Sequence, residues 1–522
     1  MRSSAASRLA ARPAAPWRRG LVPERGGSPQ RLPGGVQPCV PAADGVPVGA
    51  TGHPLADRGL SDALWHRGRE IDAAFAAIEP ALRELAAGQF SQDFPAQAQG
   101  ALRDRLGLDI PIGQLQASWV RPLDIPRLHA RCVLGTFCRL IEREFDRSLA
   151  QFSEGESAEL LIRRWGFHAI DITPCADGRL SGVIDYILRV PPAVVAYRKS
   201  YAGALFDVEE SLRHWEVVEL ARWREARPNA AGSPTRFLKV GVYHYSSVDP
   251  GHGGCAAHGS DGERAAGALL ERLQQFEQAV QGMHCCGASV ATLLVGVDTD
   301  TDAIRLHVPD ARGRMSVARF VDNQALYAST LGLGREAAKL AIREAVAACG
   351  GVAADDAGTE GLRWFCGYLL KNNLGQVDAV RAVHGGGYAD RGHTERLIVV
   401  GDPVDDVQLR NLAFQAQLET AEEGAADLDV GVRVLGEQHE PRGLAVPVLV
   451  HFRHDPRIPG SFQRAQQRAL RLGAAIESRY APLVARGALY VQAVVRAGSG
   501  SPLAVVEPAP AAACPCQAGS HR

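Results

Sequence analysis

The sequence of 522 residues lacks any apolar run of the roughly 18 residues that a helix needs to span a bilayer. Its apolar stretches, such as Ser289 to Val297, have the length of buried strands. It also lacks a large net charge of either sign, because 57 basic residues face 58 acidic ones and the formal net charge is −1. That balance excludes a general electrostatic attraction to nucleic acid or to anionic membranes.

The cysteines lack the pattern of a secreted protein. There are eleven, an odd number without framework spacing, and we identify no secretory signal. Because disulfides form in oxidising compartments, this usage favours a reducing cytosol and mostly buried thiols. Cys285 and Cys286 are interpreted as part of a packed helix end, and Cys514 and Cys516 as part of a tail.

Residues 1–52 differ in composition from the rest of the chain. Up to Val40 they contain seven arginines against one acidic residue, and seven prolines lie between Pro13 and Pro41. Such a segment cannot bury enough apolar surface to fold alone, so we expect a disordered basic arm that binds an acidic partner. The alternatives are an inert tail and a transit peptide, whose composition the first eight residues imitate.

Hydrophobic periodicity divides the remainder into three domains, the number that the chain length also favours. Residues 53–152 have apolar side chains at helical spacing and predict a helical domain. Residues 153–396 alternate strand-like and helical segments, and residues 397–512 repeat that order, which predicts a multidomain α/β (α+β) protein. Residues 513–522 are expected to form a tail. In the middle domain the predicted strands are 168–173, 236–247 and 289–298, and the predicted helices are 262–283, 331–348 and 361–380.

The last domain is similar to a degenerate copy of the middle one. Aligning residues 174–179 with 403–408, and 240–245 with 448–453, brings similar segments together and retains one carboxylate as Asp406. The cysteines, the histidine and the arginine of the middle domain have no counterpart. We therefore expect two related domains, the second of which lacks a metal site.

Metal-ligating and charged side chains follow the first predicted strand of the middle domain. Cys175, Asp177 and Arg179 alternate along the chain, and alternate residues of an extended backbone point the same way. The next predicted strand carries His244, and the glycine-rich loop after it carries Cys255. Two thiolates and one imidazole are the ligands of a zinc site that keeps a fourth position open for water.

This Cys-x-Asp-x-Arg motif, followed at a distance by a histidine and a second cysteine, resembles the metal site of the β-carbonic anhydrases. In those enzymes two residues separate the histidine from the cysteine, whereas ten separate His244 from Cys255. The longer spacing, the chain length and the three-part layout resemble the carboxysomal shell carbonic anhydrases, a divergent β-type family. The resemblance covers residues 55–512.

The resemblance implies one Zn²⁺ per chain, held by Cys175, His244 and Cys255, and the interconversion of carbon dioxide and bicarbonate. Zinc lowers the pKa of a bound water, so that hydroxide is available near neutral pH. Asp177 would accept a hydrogen bond from that water, and Arg179 would hold Asp177 ionised and away from the metal. In related enzymes the aspartate can also occupy the fourth position.

The resemblance also implies a place and partners. The expected location is the inner face of the α-type carboxysome shell in the bacterial cytoplasm, where bicarbonate dehydration would supply Rubisco with carbon dioxide. Rubisco, bound through the N-terminal arm, and shell proteins are the expected partners. A homodimer or larger homo-oligomer is expected, because β-type relatives self-associate.

Other interpretations of the same residues stay open. A closed structural zinc site, as in a scaffolding protein with a non-catalytic metal, would take a fourth ligand from Asp249, His252 or His258. A zinc hydrolase with a larger substrate would have a wide pocket. Without a metal, the first cysteine would be a core thiol and the carboxylate–arginine pair a surface ion pair. Proton transfer would involve His258 or Tyr243.

Overall fold

The computed structural model describes residues 37–38, 52–88, 93–110, 115, 123–151, 162–191, 195–224, 235–283, 290–351, 357–388, 395–402, 404, 413–416, 418, 420, 425–498 and 501–506. Residues 1–36, Cys285, Cys286, Asp406, Cys514 and Cys516 lie outside these ranges. Within the described ranges, no helix has both the length and the hydropathy needed to cross a bilayer.

Four described helices form the first domain, in agreement with the helical spacing of its apolar residues. Asp57 begins the first helix, because its side chain accepts a hydrogen bond from the Leu60 N–H. The third helix buries Phe94, Ala98, Leu102 and Leu106, which are four residues apart, as one face of a helix requires. The helices are α1 (Arg58–Ala76), α2 (Ile78–Gly88), α3 (Phe94–Leu106) and α4 (Ile125–Gln151).

The middle domain is built around a seven-stranded sheet. Its strands are β1 (Gln37–Pro38), β2 (Phe167–Pro174), β3 (Val195–Arg198), β4 (Arg236–Tyr245), β5 (Val290–Asp298), β6 (Ile304–His307) and β7 (Arg319–Asp322). They lie in the order β1-β7-β6-β5-β4-β2-β3, and β2 to β5 are parallel. The helices are α5 (Val208–Arg224), α6 (Gly262–Met283), α7 (Asn323–Thr330), α8 (Arg335–Gly350) and α9 (Ala357–His384).

The three strands predicted for this domain are confirmed as β2, β4 and β5, and its three predicted helices as α6, α8 and α9. The sequence did not reveal β3, β6 and β7, because four residues are too few to show a period. One expectation needs a correction. Gln37–Pro38, inside the segment expected to be a disordered arm, pair with Arg319 and Phe320 at the sheet edge.

The last domain contains a five-stranded sheet in the order β12-β11-β10-β8-β9. Its strands are β8 (Leu397–Gly401), β9 (Ala413–Ala416), β10 (Val446–Arg453), β11 (Leu489–Arg496) and β12 (Ala504–Val506). Its helices are α10 (Ala425–His439), α11 (Ser461–Arg479) and α12 (Ala481–Ala485). This order matches β6-β5-β4-β2-β3 of the middle domain, including four parallel strands and an antiparallel edge strand. The shared order supports the proposed duplication.

Strand pairing corrects the alignment of the two copies by three residues. Val240 pairs with Ile172, and Val448 pairs with Ile398. If Val240 matches Val448, then Ile172 matches Ile398, and position 175 falls on Gly401 rather than on residue 404. The alignment of residues 174–179 with 403–408 is therefore inconsistent with the alignment of residues 240–245 with 448–453. The reason is that similarity of short segments does not define strand register, which depends on backbone pairing in the folded sheet.

The first domain packs on the last sheet, whose two faces are both buried. Leu397 and Val399 lie in the same core as the helical domain, whereas Ile398 and Val400 lie in the core formed with α10 and α11. Successive residues of a strand point to opposite faces, which explains this division. A strand covered on both sides needs an unbroken apolar run, and residues 397–400 provide one.

Buried histidines are expected to make the fold sensitive to acid. Burial lowers the pKa of His307 to about 4, and the His307 ring bonds the Tyr243 hydroxyl and the Ser316 carbonyl. A group whose pKa is lower in the folded state contributes stability above its unfolded value near 6.5, and that stability is lost as the pH falls towards 4. The loss per histidine approaches about 1.4 kcal/mol per pH unit.

Denaturant unfolding of wild type and His307→Gln at several pH values from 7.5 to 5 tests this. The variant lacks the titrating ring, so its deficit in unfolding free energy should shrink as the pH falls. A deficit that is the same at every pH would contradict the prediction.

Candidate functional site

The site lies where the chain reverses its direction of travel across the sheet. From β2 the chain proceeds to β3 on one side, and from β3 it returns to β4 on the other side. The carboxyl ends of two such neighbouring parallel strands diverge into loops and leave a crevice between them. Cys175 directly follows β2, where its N–H donates to the Val242 carbonyl at 3.0 Å, and His244 lies near the end of β4. Sheet order therefore brings together two residues that are 69 positions apart in the sequence.

The three predicted ligands form one cluster. The ligand atoms of Cys175, His244 and Cys255 all lie within 4.8 Å of one another, and the two Sγ atoms are 3.9 Å apart. All three side chains are buried. The hydrogen bond between the thiols raises the pKa of Cys175 well above its ordinary value and lowers the pKa of Cys255. Cys255 therefore loses its proton more readily than Cys175 does.

The imidazole of His244 indicates that the cluster is built for a ligand. Its side chain is fully buried, and neither ring nitrogen makes a hydrogen bond with the described residues. A buried polar atom without a partner is costly, and native proteins rarely leave one. Coordination of a metal ion by this ring would satisfy it, since neutral imidazole is a common metal ligand. The donor set thus fits a metal ion.

Asp177 and Arg179 form a buried bidentate pair beside the cluster. Arg179 Nε and Nη2 donate to the two carboxylate oxygens of Asp177 at 2.9 and 2.8 Å. Asp177 Oδ2 is in turn 3.5 Å from His244 Nε2. The two side chains are only 6% and 5% exposed, which excludes the surface ion pair considered from the sequence.

The route by which this pair reaches the site differs from the predicted extended strand. β2 ends at Pro174, and residues Gly178–Leu180 form a 3₁₀ turn that Asp177 caps by accepting from the Arg179 N–H at 2.9 Å. The turn, rather than strand alternation, directs both side chains towards the cluster. Cys175 and Asp177 line one cavity, as predicted, but the turn is the cause, and Arg179 reaches the site only through its pairing with Asp177.

The loop after β4 positions both Cys255 and the arginine. Arg179 Nη1 donates to the Gly253 carbonyl at 2.8 Å and to Thr299 Oγ1 at 3.2 Å. Asp300 fixes the start of the loop, since its Oδ2 accepts from Ser246 Oγ at 2.6 Å. No sequence motif marks Thr299 and Asp300, although they belong to an aspartate- and threonine-rich run at the end of β5.

Electrostatics keep the arginine charged. Burial alone would lower the pKa of Arg179, but the facing Asp177 carboxylate and the nearby Glu395 carboxylate raise it above its ordinary value. A guanidinium that stays charged also keeps its carboxylate partner in the ionised form. Asp177 is therefore held as an acceptor for hydrogen bonds.

A small cavity opens beside the ligands. The space open to the centre of a water-sized sphere is about 10 Å³, which is room for about one water molecule. Cys175, Asp177, His244 and Cys255 line one side. The last domain provides an apolar wall made of three side chains, which sequence reasoning missed because no motif marks them: Phe414, Val430 and Val434.

Two further expectations can be compared with the structure. Asp249, His252 and His258 do not join the cluster, and within the described ranges no other histidine, cysteine or acidic residue completes it as a fourth ligand. This argues against a closed structural site.

Tyr243 lies on the other face of β4, where its hydroxyl bonds His307 at 2.9 Å, so it does not serve as a proton relay for this site.

A buried Cys-His-Cys cluster beside a carboxylate–guanidinium pair, at the crevice of a parallel sheet, has the features expected of a metal-dependent carbonic anhydrase of the β type. Three family models match almost the whole described chain. The models described as Carboxysome Shell Carbonic Anhydrase, N-terminal, catalytic domain and C-terminal, match residues 53–145, 157–393 and 394–509. The chain belongs to the carboxysome shell carbonic anhydrase family.

Similar proteins agree with this assignment. The chain is 40% identical over 470 residues to the carboxysome shell carbonic anhydrase of Halothiobacillus neapolitanus, covering 89% of this chain and 91% of that protein. It is 41% identical over 492 residues to the protein of the same name from Prochlorococcus marinus strain MIT 9313, covering 93% and 92%. These comparisons confirm the resemblance recognised in the sequence, the enzyme class of carbonic anhydrase and the carboxysomal location.

Proposed function

We propose that this protein is a zinc carbonic anhydrase that interconverts carbon dioxide and bicarbonate, with one Zn²⁺ per chain held by Cys175, His244 and Cys255. The observation that carries the proposal is the buried three-ligand cluster with an unsatisfied imidazole next to the Asp177–Arg179 pair. Thiolate and imidazole ligands in a set of three favour zinc over the oxygen-seeking magnesium and calcium ions.

The residues around the cluster have separable roles. When bound, zinc would supply Lewis acidity that lowers the pKa of a water molecule in the open position. Asp177 is held ionised and immobile by three hydrogen bonds from Arg179, and one of its oxygens faces the ligand set. That oxygen would accept a hydrogen bond from such a water and so orient its lone pair towards the substrate. Arg179 would hold the carboxylate in this position and away from the ligand set.

Cavity size and polarity favour a very small apolar substrate. The free volume is that of about one water molecule, and one wall consists of the Phe414, Val430 and Val434 side chains. Carbon dioxide suits such a wall, and the bicarbonate anion would depend on the positive charge that a metal ion supplies at the ligand cluster. A zinc hydrolase for larger substrates would need a wider pocket than this.

The proposal is tested by stopped-flow carbon dioxide hydration on purified, reduced protein whose zinc content is measured. Rapid turnover that scales with bound zinc, up to one ion per chain, is the expected result. Turnover of a nitrophenyl ester that exceeds carbon dioxide hydration would instead indicate a hydrolase. Stoichiometric zinc without either activity would indicate a scaffolding protein with a structural metal.

We further propose that the enzyme acts at the inner face of the carboxysome shell and supplies carbon dioxide to Rubisco, with shell proteins as neighbours and a homodimer or larger homo-oligomer as its state. The support is the family assignment together with the basic composition of residues 1–52. Arginines spread along a proline-rich segment suit an acidic protein surface, because an extended chain presents many guanidinium groups at once.

Deletion of residues 1–36, which stops short of strand β1, should leave the kcat of hydration within about twofold of wild type and weaken Rubisco binding. The described part of the site lies wholly beyond this segment, whereas the seven arginines of residues 1–40 would be lost. Binding should be measured by interferometry at two salt concentrations, since charge-driven binding weakens with salt. As a matched control, replacing those arginines with lysine keeps the charge. Loss of hydration activity in the deletion variant would contradict the proposal that the arm is separate from the catalytic domain.

A further inference from the structure

The turn between the two members of the charged pair contacts the segment that precedes the last sheet. Gly178, which lies between Asp177 and Arg179, donates its N–H to Glu395 Oε1 at 2.9 Å. Glu395 stands two residues before β8, and its side chain is 2% exposed. A carboxylate so deeply buried and bonded to this peptide constrains the backbone on which both charged side chains stand.

The contact is too close for any residue but glycine at position 178. A Cβ atom placed there would lie 2.1 Å from Glu395 Cγ and 3.1 Å from the Ala413 carbonyl oxygen. The first distance is far below van der Waals contact, so a side chain would displace the glutamate or the turn. The close packing and the hydrogen bond therefore both connect the turn to Glu395.

The same carboxylate also acts on Arg179 through its charge. It is one of the negative groups that favour the guanidinium cation, after Asp177. Strand β9 adds a second restraint next to the turn, because the Gln415 N–H donates to the Ala176 carbonyl at 3.0 Å. The chain from Ala176 to Arg179 is therefore held from the side of the last domain.

We propose that Glu395, in the segment that leads into the last sheet, is a positioning residue for the Asp177–Arg179 pair. The proposal rests on the function proposed above. Glu395 touches neither the ligand cluster nor the cavity lining. It acts by fixing the Gly178 peptide and by favouring the arginine's charge, so its loss should lower the rate without removing the metal.

The test compares Glu395→Ala and Glu395→Gln with Arg396→Ala in the full chain loaded with zinc. Arg396 is a matched control because it is the adjacent residue, yet it points to the helical domain, where it meets Asp72 at 3.3 Å and stacks on Phe75. Glu395→Ala should lower kcat about 10- to 100-fold, a typical loss for a group behind the ligands, with KM and zinc content unchanged. Glu395→Gln retains an acceptor and should recover much of that loss, and Arg396→Ala should keep the wild-type kcat.

A second readout is independent of turnover. Hydrogen exchange at the Gly178 amide should accelerate in Glu395→Ala and not in Arg396→Ala, because only the first removes its acceptor. If the wild-type protein itself shows no hydration activity, the proposed function is wrong. Hydrogen exchange at the Gly178 amide then still tests whether Glu395 positions the turn. Wild-type kcat and unchanged exchange in Glu395→Ala would overturn the proposal. If that variant does not fold, Gly178→Ala replaces it, since its methyl group should displace Glu395 and give the same loss of kcat.

Discussion

Replacement of Cys175 with serine is expected to release zinc and to abolish carbon dioxide hydration. A serine hydroxyl stays protonated near neutral pH, so the variant loses one of the two thiolates that balance the metal charge. Even groups behind the ligands cost about 10- to 100-fold in metal affinity when removed, and the loss of a ligand should exceed that. Zinc content after dialysis against a weak chelator and stopped-flow hydration are the measurements.

Cys366→Ser is the matched control for this experiment. Cys366 is likewise a fully buried thiol of the same domain, but it lies in α9, away from the cluster. Burial raises its pKa to about 12, so it is a core thiol rather than a ligand. The control should lose some stability and keep its zinc. Retention of stoichiometric zinc and of the wild-type rate in Cys175→Ser would remove this residue from the ligand set.

Replacement of Asp177 with asparagine is expected to keep the zinc and to lower kcat by about 100-fold or more, within the range that a positioned proton acceptor contributes. The amide oxygen can accept from Arg179, but the amide nitrogen cannot, so the bidentate pair is broken and a buried guanidinium loses its counter-charge. Breaking such a pair costs about 3–5 kcal/mol of stability. Zinc stoichiometry, kcat and denaturant unfolding should be measured together.

Another buried ion pair in the same domain provides a control that separates the loss of stability from the loss of rate. Lys239 Nζ lies 2.8 Å from Asp171 Oδ2, and both side chains are buried within the sheet, away from the cavity lining. Asp171→Asn should therefore lose comparable stability while its folded fraction keeps the wild-type kcat. If Asp177→Asn turned over at a rate near that of Asp171→Asn, the mechanism would not involve Asp177.

The two changes also distinguish the roles within the site. Cys175→Ser should lose the metal and, with it, all activity. Asp177→Asn should retain the metal and lose only rate. The reason is that the cysteine belongs to the cluster itself, whereas both oxygens of the carboxylate are bonded to Arg179.

Residue type and spacing, together with a resemblance to one family, were enough to predict that Cys175, His244 and Cys255 cluster and that Asp177 and Arg179 lie beside them. The long strands and helices were also predictable, because period and length are local properties that survive folding. The short strands were not, since four residues carry too little pattern.

The tertiary structure is needed to explain how these side chains come to lie next to one another. A 3₁₀ turn rather than an extended strand turns Asp177 and Arg179 towards the ligands, because the end of β2 and the cap by Asp177 set the local backbone. Phe414, Val430 and Val434 close the cavity, and Glu395 reaches Gly178 across 217 positions of sequence. Such contacts depend on the order of strands and on how one sheet lies against the next domain. Residue spacing carries no record of either, which is why the Cys-His-Cys cluster could be expected from the sequence and the apolar wall and the buried glutamate could not.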